Sequence, residues 1–518
     1  MGTAHDYLGA ILQRSRVPME PAGFEPDWRD RPRYAKYYPD AERIALPTRA
    51  PAGVPPGMFS VPLLADMLRH SYGYLGRRLA PQANHDLAGL PNYPQANWWR
   101  GTASGGGLYP VSVYWAAGAG GGVLPGLFHY SPSHHEMRRL LTGDVTAEVR
   151  AALGDWPEAA TTDQYLILGV KFWQNAFKYN SFSYHAVTMD VGTILHTWRT
   201  IAGEHGLSLR PLLWFDDERL GALLGTRPEQ EGVFAVVPLP WTAPGLVPAA
   251  DAAHPPRVRH ADRERSRRVL TFDAVTAVHR ATIAGGASRP APAALKGAGV
   301  SPPAAGRPAA DLPAPRPAAR PARQALRARR SSFGRFCASE PTTAAELGAV
   351  LAAAHEAASF GCDVTEPGNG LDLAKLYVFA SHVRGIAPGA YEFDPAGHRL
   401  LRISEGDPGA FLQRTYFLQN YNLEQAGAVI VPALRAAAVL DAVGDRGYRL
   451  ANAVAGAIAQ ATYTAAAAAG IGCGAALGFD NLAYAEELGL GGTGEAPLLI
   501  MMIGRERARP GDYHYQIG

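Results

Sequence analysis

A chain of 518 residues, 47% of them hydrophobic, is too long for one ordinary core and has the length of two or three domains. Its 49 basic and 46 acidic residues leave a formal net charge of +3, so no global field points to nucleic acid, and no charge-free run of about 18 apolar residues argues for a membrane span. Three scattered cysteines, Cys337, Cys362 and Cys473, offer neither a zinc site nor a disulfide framework; no metal is expected, and a reducing cytoplasm is the expected setting.

Residues 1–60 read as an N-terminal extension rich in aromatics (Trp28, Tyr34, Tyr37, Tyr38), for which a packing arm is the simplest account. From 61 to 284 the pattern is mixed. A helix is expected to carry RHSYG (69–73) near its start, followed by an alternating strand (LYPVSVYWAA, 108–117) and a hairpin-like strand around FHYSP (128–132). A long helix from 183, a turn at Phe215-Asp216, a short helix (217–225) and a closing strand (VFAVVPL, 233–239) complete this part. Residues 241–284, with RHADRERSRRVLTF, stand between packing helix and partner contact. The Ala/Pro/Arg-rich stretch 285–325 carries almost no large apolar side chains and reads as an extended, solvated linker.

Residues 326–518 repeat the earlier order. Residues 183–225 align without gaps on 447–489 at a constant shift of 264, which sets Tyr184 on Tyr448 and Gly192 on Gly456. GLFHYSPSHHEMRRL (126–140) matches GAYEFDPAGHRLLRI (389–403), and RHSYG matches RSSFG (330–334), at nearly the same shift. Three blocks in one order argue for two copies of one domain. The expected class is α+β, a central sheet with long buried helices in each copy.

Four segments could carry chemistry. ARRSSFGRF (328–336) sets Arg330, Ser331 and Ser332 at the expected start of a helix, where guanidinium, hydroxyls and free N–H groups together suit a phosphate; the same residues also suit a cap. GRERARPGDY (504–513) alternates Arg505, Arg507 and Arg509, sending them to one face, either for an anion or as a basic tail. In RGTASGGGLYPVSVYW (100–115), Ser104, Gly105 and Gly106 would let the backbone approach a flat ligand. In FWQNAFKYNSFSYHA (172–186), Lys178 and Tyr179 form a pair that suits either proton transfer or an ordinary interface; a neighbouring ammonium favours the phenolate. The matching positions of the second copy are Ala442 and Val443.

Together, RGTASGGGLYP, the Lys178–Tyr179 pair, GLFHYSP and FDDERLGALLG resemble the SagB-type dehydrogenases, nitroreductase-like azoline oxidases of thiazole/oxazole-modified peptide and thiopeptide biosynthesis; PDWRDRPRYAKYYPD is similar to theirs as well. The resemblance runs from about residue 15 to 240 and implies tandem nitroreductase-like domains forming a pseudo-dimer with bound FMN. It implies that Arg330, Ser331, Ser332, Gly478, Arg505 and Arg507 of the second copy hold the cofactor with Ser104, Gly105 and Gly106 of the first, while Lys178 and Tyr179 are catalytic. EPGNGLDLAK in the second copy and Trp214 in the first would leave a second site degenerate. The implied substrate is an azoline-containing peptide, presented by a cyclodehydratase or leader-binding partner protein. The halves would pair within one chain or as a swapped homodimer. An NAD(P)H-dependent nitro or quinone reductase, and a non-catalytic flavin-binding scaffold subunit, are the competing readings.

Overall fold

Two antiparallel sheets share one strand order. In the first, the order is Glu42–Ala45, Glu136–Thr142, Gly126–Ser131, Val111–Ala117, Gln164–Lys171 and Glu231–Pro238. In the second it is Ala309–Asp311, Arg399–Glu405, Gly389–Asp394, Ala374–Ala380, Ala428–Leu434 and Ile500–Gly504, with Gly472–Ala476 added at the far edge. The computed structural model that shows this describes residues 2–48, 57–80, 95–154, 156–241, 255–315, 320–365, 372–508 and 513–517.

Strand alternation builds three cores. Val113 and Trp115 of the first sheet, and Leu376 and Val378 of the second, face inward into one cluster that spans both halves. Tyr114 and Ala116 face an outer cluster of the first half, and Tyr377 and Phe379 an outer cluster of the second. Both faces of each central strand are therefore buried, which explains why LYPVSVYW reads as nearly continuous apolar sequence.

Between the sheets lie two long helices, Ser183–Gly203 and Gly447–Ala469. They cross at the two glycines that the repeat sets on one another. A methyl group on Gly192 would meet the carbonyl oxygen of Ala453 at 2.0 Å, and one on Gly456 would meet that of Met189 at 2.0 Å. The contact is reciprocal and backbone-to-backbone, so only glycine at both positions permits it.

The terminal segments tie the halves together. The helix Thr3–Gln13 packs on Asp273–Ala284 of the first half and on the helices Ala436–Val443 and Asn481–Glu487 of the second. The late strand Tyr513–Gln516 pairs with Gly76–Ala80, far from its own sheet. Among the described residues no helix is long and apolar enough to cross a membrane, and no group of histidine, cysteine or acidic residues is arranged for a metal.

Two expectations need correction. The stretch 285–325 is docked along much of its described length rather than solvated. Leu295 and Ala298 are fully buried, Ala309–Asp311 pairs with 399–401, and Arg289 bonds Asp363 and the carbonyls of Leu153 and Trp214. An edge strand needs only backbone donors and acceptors, and short apolar side chains suffice to seat the rest. Nor do the Arg-x-Ser segments open helices. Arg69 and Ser71 end the helix Val61–Ser71, while 330–332 follow the helix Ala322–Ala328 as extended chain, with Ser331 bridged to Cys473. Among the described residues, Arg330 lies at no helix N-terminus.

Candidate functional site

The turn Gly105–Gly107 passes directly beneath the Lys178–Tyr179 pair. Gly106 has φ of 63°, and a methyl group there would lie 2.4 Å from Tyr179 OH and 3.1 Å from Lys178 Nζ. Glycine is required twice over, by the left-handed backbone and by the neighbour above it. Lys178 and Tyr179 end the short helix Trp173–Tyr179, with Lys178 Nζ 4.7 Å from the centroid of the Tyr179 ring and 5.8 Å from that of Trp28. Two segments that are distant in sequence thus converge in the first half.

Both long helices hold this loop. Ser104 Oγ donates to Asp190 Oδ2 (2.6 Å) and accepts from the Tyr109 N–H (2.9 Å), while the Gly105 N–H donates to Asp190 Oδ1 (2.8 Å). Thr193 Oγ1 donates to the Ala103 carbonyl. From the other helix, Gln460 Oε1 accepts the Ala103 N–H (2.8 Å) and its Nε2 donates to the Gly101 carbonyl (3.2 Å). Neither Asp190 nor Gln460 was among the residues marked by sequence. The available signal was the one acid in the long helix expected from 183, at a position where the repeat has Val454.

Burial pushes the Asp190 carboxyl up from 3.8 to about 7, against the lowering effect of the hydrogen bonds from Ser104 and Gly105. A carboxyl raised in the folded state contributes stability that is complete below its unfolded value and lost as pH rises through the folded one. Asp190→Asn, neutral throughout, is therefore expected to flatten part of the fall in stability between about pH 4 and pH 7. Parallel denaturation curves would show it. A wild-type-minus-variant difference that does not change across that range would contradict the assignment.

The second half supplies a cationic cavity. Arg330 Nη2 lies 2.5 Å from Glu506 Oε2, and Ser331 Oγ and Tyr463 OH share a hydrogen bond of 2.9 Å. Ser332 is fully buried, and its Oγ has no hydrogen bond of good geometry. Arg330, Tyr463, Gly472, Cys473 and Glu506 line a cavity of about 280 Å³. Burial would raise the Glu506 carboxyl, but the charge and hydrogen bond of Arg330 outweigh it and hold the group below its ordinary range. Arg329 connects this region to the glycine loop, donating to the carbonyls of Gly101 (2.8 Å) and Arg100 (2.9 Å).

Arg505 and Arg507 take other partners. Arg505 Nη2 pairs with Glu346 Oε1 at 2.6 Å, and Arg507 Nη2 donates to the Gly334 carbonyl at 3.0 Å. Glu506, between them, is the residue that meets Arg330. Arg509 and the segment 366–371 lie outside the described residues.

Gly478 stands at the seam. Its carbonyl accepts the Phe417 N–H (2.9 Å), and a methyl group on it would be in ordinary contact with Phe417 and Leu418, at 3.8–3.9 Å, without a clash. Arg14, from the N-terminal extension, donates to the carbonyls of Leu477 and Phe479, and its guanidinium lies 4.9 Å from the centroid of the Phe182 ring. Beside this turn, burial and then the nearby Tyr179 push the Tyr416 phenol above its ordinary range. Arg14 and Tyr416 were also missed in the sequence, because only tertiary contact marks them.

The corresponding positions of the first half are filled. Arg69 donates to the Thr48 carbonyl (2.6 Å), Ser71 Oγ accepts from Trp198 Nε1 (2.9 Å), and Trp214 is buried where the second half has Gly478.

Residues 326–505 match the model of the nitroreductase family. A Methanocaldococcus jannaschii protein named as a nitroreductase is 29% identical over 179 residues, which make up 34% of this chain and 88% of that one. A crystal structure from Anabaena variabilis, also named as a nitroreductase, superposes with a TM-score of 0.76 over 98% of this chain and all of its own, at 22% identity. That likeness shows the fold. A chain of the E. coli microcin synthetase McbBCD complex reaches a TM-score of only 0.27 over 44% of this chain, and no argument rests on it. The chain carries a nitroreductase-family domain.

Proposed function

We propose that the chain is an FMN-dependent dehydrogenase, built as a tandem pseudo-dimer with one composite site, that oxidises thiazoline or oxazoline rings of a ribosomally made peptide to the aromatic azoles. The observation that carries this reading is the convergence of Gly106, Lys178 and Tyr179 from the first half, with Tyr416 of the second half near Tyr179 and bridged to Phe479, next to Gly478.

The residues present fit a flavin mononucleotide. Arg320 and Arg330, which line the cavity with Glu506 as its acid, suit a phosphate, and the buried Ser332 hydroxyl beside them bears on the same Glu506 carboxylate. Room beside Gly107, with nothing within 4 Å of an added methyl group, suits a flat ring system. In this reading Arg330, Ser331 and Ser332 grip the phosphate, and Ser104, Gly105, Gly106 and Gly478 border the ring. Arg505 and Arg507 would join only by giving up their present partners.

Bound FMN supplies the acceptor for the hydride that leaves one ring carbon. The other hydrogen of the azoline leaves as a proton, for which Tyr179 Oη is the proposed acceptor and Lys178, over the same phenol ring, the counter-charge; the reverse assignment is separable by variants. Asp190 and Gln460 fix the loop under the pair and so orient what binds there. A partner protein, a cyclodehydratase or leader-binding subunit, is proposed to present the peptide.

Mass spectrometry of an azoline peptide after incubation with the purified protein tests the proposal. Loss of two hydrogen atoms per ring is expected. An unchanged peptide, together with rapid flavin reduction by NADH, would replace it with the nitro or quinone reductase reading.

A further inference from the structure

Residues 257–268 (RVRHADRERSRR) lie beside residues 29–37 as an extended ribbon whose two sides differ in charge. Arg263 N–H donates to the Tyr37 carbonyl (2.9 Å), Arg33 Nε to the Arg263 carbonyl (3.0 Å), and the N–H groups of Arg267 and Arg268 to the Asp30 carboxylate (2.7 and 2.9 Å). The even positions turn inward. Asp262 and Glu264 pair with Lys171 at 2.5 and 2.6 Å, and Ser266 Oγ accepts from Trp173 Nε1 at 2.9 Å. The odd positions, Arg263, Arg265 and Arg267, are exposed, as are Arg29, Arg33 and Arg268. Among the described residues no carboxylate forms a salt bridge with any of these six.

An ordinary mixed-charge surface neutralises itself. Here alternation sends Asp262 and Glu264 to an internal lysine and the arginines to solvent, leaving two acids among them, Asp30 near Arg267 and Arg265, and Asp27, whose carboxylate accepts the Arg29 N–H. The ribbon is also fastened to the site. Trp173 opens the helix that ends in Lys178 and Tyr179, and Trp28, next to Arg29, is half exposed with its ring against Phe177 and Lys178.

We propose that this arginine ribbon is a docking track for an acidic segment of the peptide substrate, leading its modified part past Trp28 to Lys178 and Tyr179. The proposal rests on the peptide-oxidising reading for its destination. Its chemistry, capture of a carboxylate-rich extended chain by outward arginines, stands on the ribbon itself.

Fluorescence anisotropy with a labelled Glu-rich peptide tests it, on the full chain at low and raised ionic strength. Wild type is expected to bind and to weaken with salt; the triple variant R263E/R265E/R267E should bind at least about tenfold more weakly, and R384E, a reversal at an exposed arginine of the other half, like wild type. The variant R263Q/R265Q/R267Q, which keeps side-chain bulk without charge, serves if the reversal disturbs folding. Equal binding by wild type and the neutral variant, or a DNA duplex that displaces the peptide at lower concentration than unlabelled peptide does, would overturn the track. Flavin content measured on the same samples separates the two readings: a flavin-free chain that binds the peptide sinks the dehydrogenase and leaves the track intact.

Discussion

Lys178→Ala and Tyr179→Phe are each expected to lower azoline oxidation by about a hundredfold to ten-thousandfold, the range that a positioned acid or base contributes, while flavin content stays at the wild-type level. Neither side chain is assigned to the phosphate cavity, and neither makes a hydrogen bond that holds the loop below it. Gly106 depends on Asp190 and Gln460 through its neighbours, so the loop should keep its course when the pair above is shortened. The two variants also divide the roles. If Tyr179 Oη takes the proton, Tyr179→Phe should remove the acidic limb of catalysis, the rise of rate with pH, whereas Lys178→Ala should shift that limb to higher pH. Single-turnover mass spectrometry across pH reads both. Full activity in both variants would remove the pair from the chemistry.

Gly192→Leu should cost about 3 kcal/mol of stability, the upper part of the range for overpacking a rigid contact, and should release flavin. Even the first carbon of that side chain would sit 2.0 Å from the Ala453 carbonyl, a backbone atom that cannot yield without separating the two long helices. Asp190 and Gln460 ride on those helices, so their separation pulls the two holds on the glycine loop apart. Gly9→Ala is the matched control. Gly9 lies inside a helix with nothing within 4 Å of an added methyl group, and this change should be neutral or stabilising by up to about 1 kcal/mol. Chemical denaturation with flavin fluorescence reports both quantities, and a Gly192→Leu protein as stable and as yellow as wild type would mean that the crossing does not unite the site.

What was legible in the sequence follows the range of the interaction. The gapless match of 183–225 with 447–489 placed Gly192 on Gly456, and the structure brings those two residues to one crossing, because a repeated local pattern folds to a repeated element. LYPVSVYWAA was likewise read as a strand and is one, but burial of both its faces came only from the packing of an inner and an outer core on it. The Arg-x-Ser segments were misread as helix starts, since hydroxyls and charges that suit a cap also suit extended chain bridged to Cys473. The docking of 285–325 was hidden because edge pairing uses backbone groups that every residue has. Asp190, Gln460, Tyr416 and Arg14 act across elements hundreds of residues apart in places, as Arg14 does on Leu477 and Phe479, and no local pattern marks such partners.

The claim on which the rest stands is that a single flavin lies where the halves meet, held at its phosphate by the second half alone. Flavin released per chain from Arg330→Ala and from Arg69→Ala, measured after identical purification, tests it most directly. The account predicts one FMN per chain in the wild type and in Arg69→Ala, whose guanidinium is committed to the Thr48 carbonyl, and little or none in Arg330→Ala. Retention by Arg330→Ala with loss from Arg69→Ala, or two flavins per wild-type chain, would contradict it.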